Sequence, residues 1–265
     1  MFLEDASVLW NNHVQSDYYR LGLSCDARYI HAMPGQFVTL HLSGQKSPLL
    51  RRPFSIHRLV EVNGILHGIE ILYKVVGEFT QKLTSADTGD MISLFGPLGN
   101  GFDIPVNTRR LFVAAGGVGV APMVFLIEHL FKKKQELTRC SLFLGGKTRE
   151  DVICETDFFA LGVSVHVTTD DGSYGNQCLL TTPLEEAVQN DPPDLLVACG
   201  PKGMLACVMG IAQRYQVKCQ VSLETLMACC MGVCLGCAVE PVESGLPYLH
   251  ACVNGPVFDS QSIVL

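Results

Sequence analysis

MACCMGVCLGCAVEPVESGLPYLHAC, residues 227–252, is the stretch on which the organisation of the chain turns. Cys229, Cys234, Cys237 and Cys252 follow one another as C-x4-C-x2-C and then a distant C, the plant-type spacing by which thiolates hold a [2Fe-2S] cluster. A short loop wrapping a cluster must aim three sulfurs inward, and Gly232 and Gly236 are expected to supply the permissive backbone angles for it. The fourth thiolate arrives from a separate segment. Structural zinc competes with this reading, although zinc ribbons usually pair C-x2-C with C-x2-C and only one such pair is present. Disulfides are a further alternative, without flanking signs of an oxidising compartment. Cys230 breaks the spacing and reads as a free buried thiol.

A chain of 265 residues with 17% charged side chains is long enough for two domains and is apolar enough to fold. Its net charge of -7 argues against nucleic acid or an anionic membrane as partner. The start, MFLEDASVLWNN, has no basic region followed by an apolar core, so no signal peptide is read. With twelve cysteines in no evident disulfide framework, a reducing cytoplasm is the simplest expected location. Leu111 to Ile127 is uncharged, but Gly116, Gly117, Gly119 and Pro122 interrupt it. A buried strand, a glycine turn and a helix explain it better than a membrane span.

Residues 1–103 read as short alternating runs between turn signals, with strands at 38–42, 53–59, 68–76 and 91–95, which predicts a small antiparallel β-barrel. Arg52-Pro53-Phe54-Ser55 stands at a strand start, where proline is tolerated. Arg52 offers a planar fork for a phosphate, and Ser55 a hydroxyl for a polar ring edge. Leu72-Tyr73-Lys74 closes a later strand with an aromatic face and a cation. Gly77-Glu78-Phe79-Thr80 then turns into a helix start, so an anion could rest between Arg52, Lys74 and the backbone near Thr80.

From residue 104 to 224 strands and helices alternate, which predicts a doubly wound parallel sheet. Strands are expected at 111–115, 141–145, 163–168, 195–199 and 220–223, and helices at 121–135, 151–160, 183–189 and 203–215. The turn GGVGVAP (116–122) lies between the first strand and helix, where a dinucleotide pyrophosphate would meet a helix N-terminus, and CGP (199–201) follows the fourth strand on the same carboxyl edge. Residues 225–265 remain as a small C-terminal cluster-binding domain.

The run Arg52-Pro53-Phe54-Ser55, then Leu72-Tyr73-Lys74, then Phe79-Thr80 resembles the FAD-binding barrel of the ferredoxin reductase superfamily, with Phe79 standing where relatives usually carry a second glycine. That resemblance implies isoalloxazine and pyrophosphate contacts from these residues. GGxGxAP and CGP are the superfamily's nicotinamide signatures. They imply that Gly117, Gly119 and Pro122 shape the pyrophosphate seat, and that Cys199 and Gly200 lie near the nicotinamide. Lys147 and Arg149 occupy the region where NADP enzymes hold the 2′-phosphate, and the neighbouring Glu150 and Asp151 favour NAD.

Over essentially its full length the chain is similar to the electron-transfer subunits of class B dihydroorotate dehydrogenase. RRPFS (51–55), GGVGVAP, TDDGSYG (169–175), CGP, LETLMAC (223–229) and the cysteine series ending in AC-x2-GPVF (251–258) carry this likeness. It implies FAD and a [2Fe-2S] cluster as cofactors and NAD(H) as substrate. It further implies a partner, the FMN-containing catalytic subunit that interconverts dihydroorotate and orotate in pyrimidine biosynthesis, in a heterotetramer of two plus two. The cluster is expected beside the partner surface, ringed by Met231, Val233 and Leu235, with no residue of this chain acting as general acid or base. The small subunit of an NADH-dependent ferredoxin:NADP oxidoreductase or of a sulfhydrogenase-type complex is the alternative from the same superfamily, and a non-enzymatic zinc-stabilised module the alternative from outside it.

Overall fold

The computed structural model describes residues 1–42 and 47–265. Its first half is one seven-stranded antiparallel sheet. The strands are β1 (Phe2–Gln15), β2 (Tyr18–Ser24), β3 (Phe37–Leu42), β4 (Arg52–Ser55), β5 (Arg58–Val62), β6 (Ile65–Lys74) and β7 (Met91–Leu98). They run β4-β3-β7-β1-β2-β6-β5 across the sheet, with helix α1 (Glu78–Leu83) between β6 and β7 in the chain. Alternate side chains such as Val38 and Leu40, Leu21 and Leu23, Ile69, Ile71 and Tyr73, and Ile92 and Leu94 gather in one core, as the two-residue period of a strand demands.

The predicted barrel is therefore present, with two differences from the expected strands. The first two strands carry no alternation clean enough to announce them, because polar and aromatic residues of β1 sit half-buried on both faces. The expected strand 53–59 is broken at Ile56 and His57, where the chain leaves β3 and crosses to β6.

The second half is the predicted parallel sheet. β8 (Arg110–Gly116), β9 (Arg139–Gly146), β10 (Ser164–Thr169), β11 (Asn176–Gln177), β12 (Leu195–Cys199) and β13 (Cys219–Ser222) lie in the order β11-β10-β9-β8-β12-β13. Helices α2 (Ala121–Lys132) and α3 (Glu155–Ala160) cover one face, against Leu111, Val113 and Leu142. Helices α4 (Thr181–Asn190) and α5 (Lys202–Arg214) cover the other, against Phe112, Phe143 and Leu196. Leu111–Ile127 is thus buried strand, 3-10 turn and helix, with Pro122 in the first turn of α2 where its missing N–H costs nothing. No described helix is long and apolar enough to cross a membrane. The helix expected over 151–160 shortens to α3, preceded by a 3-10 turn at Arg149–Asp151.

The chain ends with a two-stranded hairpin, β14 (Ala238–Val239) and β15 (Leu249–His250), and with β16 (Val257–Asp259), which pairs antiparallel to β13. The last segment is thereby sewn into the edge of the nucleotide sheet. Cys230, Cys237, Val239, Ala251 and Cys252 share a core with α4 and α5.

Candidate functional site

β8 and β12 are neighbours, while β9 lies beyond one and β13 beyond the other. The chain reverses its direction of winding between them, and the crevice at such a switch point is where open α/β sheets take ligands. GGVGVAP leaves β8 and CGP leaves β12 at this point, and the two turns touch. A Cβ on Gly119 would stand 2.4 Å from the Cys199 carbonyl oxygen, so only glycine lets the backbones come this close.

Two cavities open onto this crevice. The first, of about 440 Å³, lies between the barrel and the parallel sheet. It is lined by Arg52, Pro53, Phe54 and Ser55 of β4, by Leu72, Tyr73 and Lys74 at the end of β6, and by Phe79 and Thr80 of α1. Pro122 and Cys199 complete it from the other domain. The second, of about 590 Å³, is lined by Gly117, Gly119, Gly200, Lys147 and Asp151. Lys74, Val118 and Glu224 belong to both. Their sizes are those of small-molecule and cofactor sites.

The side chains divide their labour in ways the sequence did not show. Arg51 is spent inside the barrel, donating to Thr39 and Ser93, whereas Arg52 on the opposite face meets, among the described residues, only the Leu50 carbonyl oxygen at 3.0 Å and the Arg51 carbonyl oxygen at 3.4 Å. Tyr73 is 1% exposed, stacked on Tyr19 with its hydroxyl donated to Asn11, so its ring is used for packing. Phe79 likewise turns into the barrel core against Phe54, which leaves its backbone free to approach a ligand. The Thr80 hydroxyl accepts from the Val76 and Gly77 N–H groups and holds the turn before α1.

Lys74 lines the first cavity as expected of the cation there, and it is also engaged in an ion pair. Its ammonium donates to Asp151 at 2.7 Å, and the same carboxylate oxygen accepts from Tyr18. Burial alone would raise the Asp151 pKa, but these donors hold it below the usual carboxylate range. Arg149 lies over the Tyr174 ring, and Glu150 accepts from Ser16. Cys199, fully enclosed at the end of β12, has its thiol pushed up to about 12 by burial. Glu224 is exposed where the two cavities meet, and the desolvation it experiences there raises its carboxyl. The pairing of Asp151 beside the cavities is invisible in the sequence, because Tyr18 and Lys74 lie far away along the chain.

Beyond Leu223, Thr225 and Met227, which line the first cavity, the chain enters the cysteine loop. Cys237 and Cys252 stand with sulfurs 3.3 Å apart. Cys229 accepts from the Val233 and Cys234 N–H groups, and from the Cys234 side chain. Backbone N–H donors aimed at its sulfur lower the Cys229 thiol to about 6. The four thiols are therefore assembled as two neighbouring pairs, and among the described residues no three ligating groups converge on a single metal-binding point. Gly232 takes the expected positive φ of 81°, but Gly236 does not; Cys230 and Leu235 adopt left-handed angles instead. Cys230 is 2% exposed in the core, with its thiol raised to about 12 by burial.

Comparison with known proteins gives three family profiles in order along the chain. They are an oxidoreductase FAD-binding domain over residues 9–102, an oxidoreductase NAD-binding domain over 113–209, and the iron-sulfur cluster binding domain of dihydroorotate dehydrogenase B over 224–264. Among curated relatives, the dihydroorotate dehydrogenase B (NAD(+)) electron transfer subunit of Desulforamulus reducens is 36% identical over 261 residues, covering 98% of this chain and 97% of that one. The subunit of the same name from Caldanaerobacter subterraneus is 37% identical over 260 residues, with the same coverage. A solved structure of an NADH-dependent reduced ferredoxin-NADP oxidoreductase superposes with a TM-score of 0.82 at 24% identity, over 98% of this chain and 89% of that one. A ferredoxin NADP+ reductase from Neisseria gonorrhoeae follows the fold with a TM-score of 0.66 at 15% identity, over 80% of this chain and 91% of that one. These two likenesses speak for the fold alone.

Proposed function

Since the chain belongs to the family of dihydroorotate dehydrogenase B (NAD(+)) electron transfer subunits, we propose that its two cavities and its cysteine loop are three consecutive stations for electrons. The protein is an NAD-linked flavin and iron-sulfur oxidoreductase subunit that acts with a separate catalytic subunit. The single observation that carries the assignment of stations is their continuity: Glu224 faces both cavities, and Met227, two residues before Cys229, closes the first. Bound FAD supplies two-electron exchange with NAD(H) and one-electron exchange with a [2Fe-2S] cluster, which carries single electrons.

The chain's own residues prepare the first cavity for FAD. The Arg52 guanidinium, held among the described residues by the Leu50 and Arg51 carbonyls alone, is available to a pyrophosphate, and the turn pinned by Thr80 presents backbone beside it. Pro53, Phe54 and Leu72 give the isoalloxazine an apolar wall, Tyr73 stiffens that wall from behind, and Ser55 donates to the ring edge. Lys74, neutralised by Asp151, locks the barrel to the nucleotide domain and does not serve as the phosphate's counterion. NAD(H) enters the second cavity, with its pyrophosphate over Gly117 and Gly119 and its nicotinamide beside Pro122, Cys199 and Gly200.

The thiols fit a binuclear centre. Cys229 with Cys234, and Cys237 with Cys252, would hold the cluster as two pairs of thiolates, whereas one tetrahedral zinc would need all four around one point. Donated N–H groups already favour the Cys229 thiolate. Met231, Val233 and Leu235 stand 49%, 75% and 58% exposed around the loop, an apolar rim suited to the FMN-containing catalytic subunit in a heterotetramer of two plus two. Electrons pass there during pyrimidine biosynthesis, in the cytoplasm. Residues 1–103, 104–224 and 225–265 serve as the FAD, NAD and cluster units.

The test is anaerobic isolation with quantification of FAD, iron and acid-labile sulfide, followed by NADH titration. One FAD, two irons and two sulfides per chain, all reducible by NADH, are expected for this family's cofactor set. Protein with zinc and no sulfide would refute the assignment of the cysteines.

A further inference from the structure

His57 lies two residues past Ser55, at the break between β4 and β5, and is 0% exposed. Its Nδ1 stands 2.8 Å from the main-chain oxygen of Ala121, across the boundary between barrel and nucleotide domain. A carbonyl oxygen can only accept, so Nδ1 carries the proton. The other nitrogen, Nε2, faces Glu70 Oε1 at 3.7 Å, and neither of these buried atoms has a hydrogen-bond partner among the described residues. Arg58 Nη1, 3.6 Å from the same Glu70 oxygen, and Arg20 with Asp157 complete the charged surroundings. In these surroundings burial lowers the imidazole pKa to about 3, so the ring stays neutral.

Ala121 and Pro122 open helix α2 and line the first cavity from the nucleotide side, while Ser55 lines it from the barrel side. His57 is thus a short tether between the two walls. We propose that His57 is a positioning residue whose Nδ1–H bond to the Ala121 carbonyl fixes the gap across which NAD(H) and the flavin exchange hydride. The proposal rests on the first cavity being the flavin site. Its physical basis is that a gap between reacting groups must be held to a fraction of an ångström, and one misplaced by about 1 Å can cost about 100-fold in rate. The Ala121 carbonyl, which can only accept, keeps the proton on Nδ1, and no hydrogen bond among the described residues competes for it at Nε2.

Imidazole nitrogen NMR on the flavin-loaded wild-type protein without NADH should show one histidine with a protonated Nδ1 and a bare Nε2, unchanged across neutral pH. A protonated Nε2, or rapid exchange between tautomers, overturns the proposal. His57→Asn places an amide N–H where Nδ1 stands, and His57→Gln places one where Nε2 stands. Stopped-flow reduction of the flavin by NADH should be about 10- to 100-fold slower in the Gln variant than in wild type. The Asn variant should recover most of the rate, with flavin content and NADH affinity preserved in both. Equal rates in the two variants overturn the role of His57 while leaving the flavin site standing. Wild-type protein that binds no flavin overturns the reading of the cavity itself.

Discussion

Gly119→Ala tests the seam between the two nucleotide turns with a single methyl group. The added Cβ would lie 2.4 Å from the Cys199 carbonyl oxygen and 2.8 Å from Gly200 Cα. An ordinary carbon–oxygen approach is about 3.3 Å, so the turns must part by about 1 Å. Neither turn can yield alone, because β8 and β12 are hydrogen-bonded neighbours directly beneath them. Overpacking of this kind costs about 1–3 kcal/mol of stability. The displacement also moves Cys199 relative to the flavin cavity, and hydride transfer from NADH should slow about 100-fold, or about 2.7 kcal/mol in the barrier. Anaerobic stopped-flow measurement of flavin bleaching reads this directly, with flavin and iron contents as controls. Gly203→Ala is the matched comparison: it lines the same cavity, meets nothing within 4 Å, and should leave the rate unchanged. A Gly119→Ala protein that keeps its flavin and reduces it at the wild-type rate would refute the argument that these turns must touch.

Cys234→Ser should abolish the iron-sulfur absorbance while preserving NADH-to-dye activity through FAD, since Cys234 is exposed and supports neither cavity; loss of flavin as well would show that the cluster loop holds the first cavity together. Arg52→Ala should weaken FAD retention by about 1.5–3 kcal/mol, the worth of a charge-assisted hydrogen bond, and undiminished flavin content after dialysis would contradict its placement. Asp157 accepts from Arg20 and Arg58 across the domain boundary, so Asp157→Asn should destabilise the protein by about 3 kcal/mol at neutral pH, measured by denaturant unfolding. Burial alone would raise the Asp157 pKa, but the two arginines lower it. A carboxylate depressed on folding stabilises above its unfolded value of about 3.9, and this contribution disappears as pH falls through the lower folded value. The wild-type advantage should therefore be constant from pH 5 to 8 and shrink only in strong acid; a difference that grows toward acid would contradict the pairing.

Local chemistry was legible without coordinates. The cysteine spacing, RPFS, GGVGVAP and CGP are each set by what a few consecutive backbone units must do, and a strand period of two or a glycine at a tight turn leaves its mark within a few residues. Five of the parallel strands and the switch from barrel to doubly wound sheet followed from such marks. Strands β1 and β2 did not, because their half-buried faces blur the alternation.

Tertiary structure alone decided which polar groups are free and which are committed. Two adjacent arginines take opposite fates because a strand sends neighbours to opposite faces. Lys74 is neutralised by Asp151, 77 residues away. His57 meets Ala121 across 64 residues, and β16 returns from the cysteine segment to pair with β13. Electrostatic and hydrogen-bond partners act over a few ångströms in space whatever their separation along the chain. A sequence therefore displays the groups that can bind, while the fold determines which of them remain available to do so.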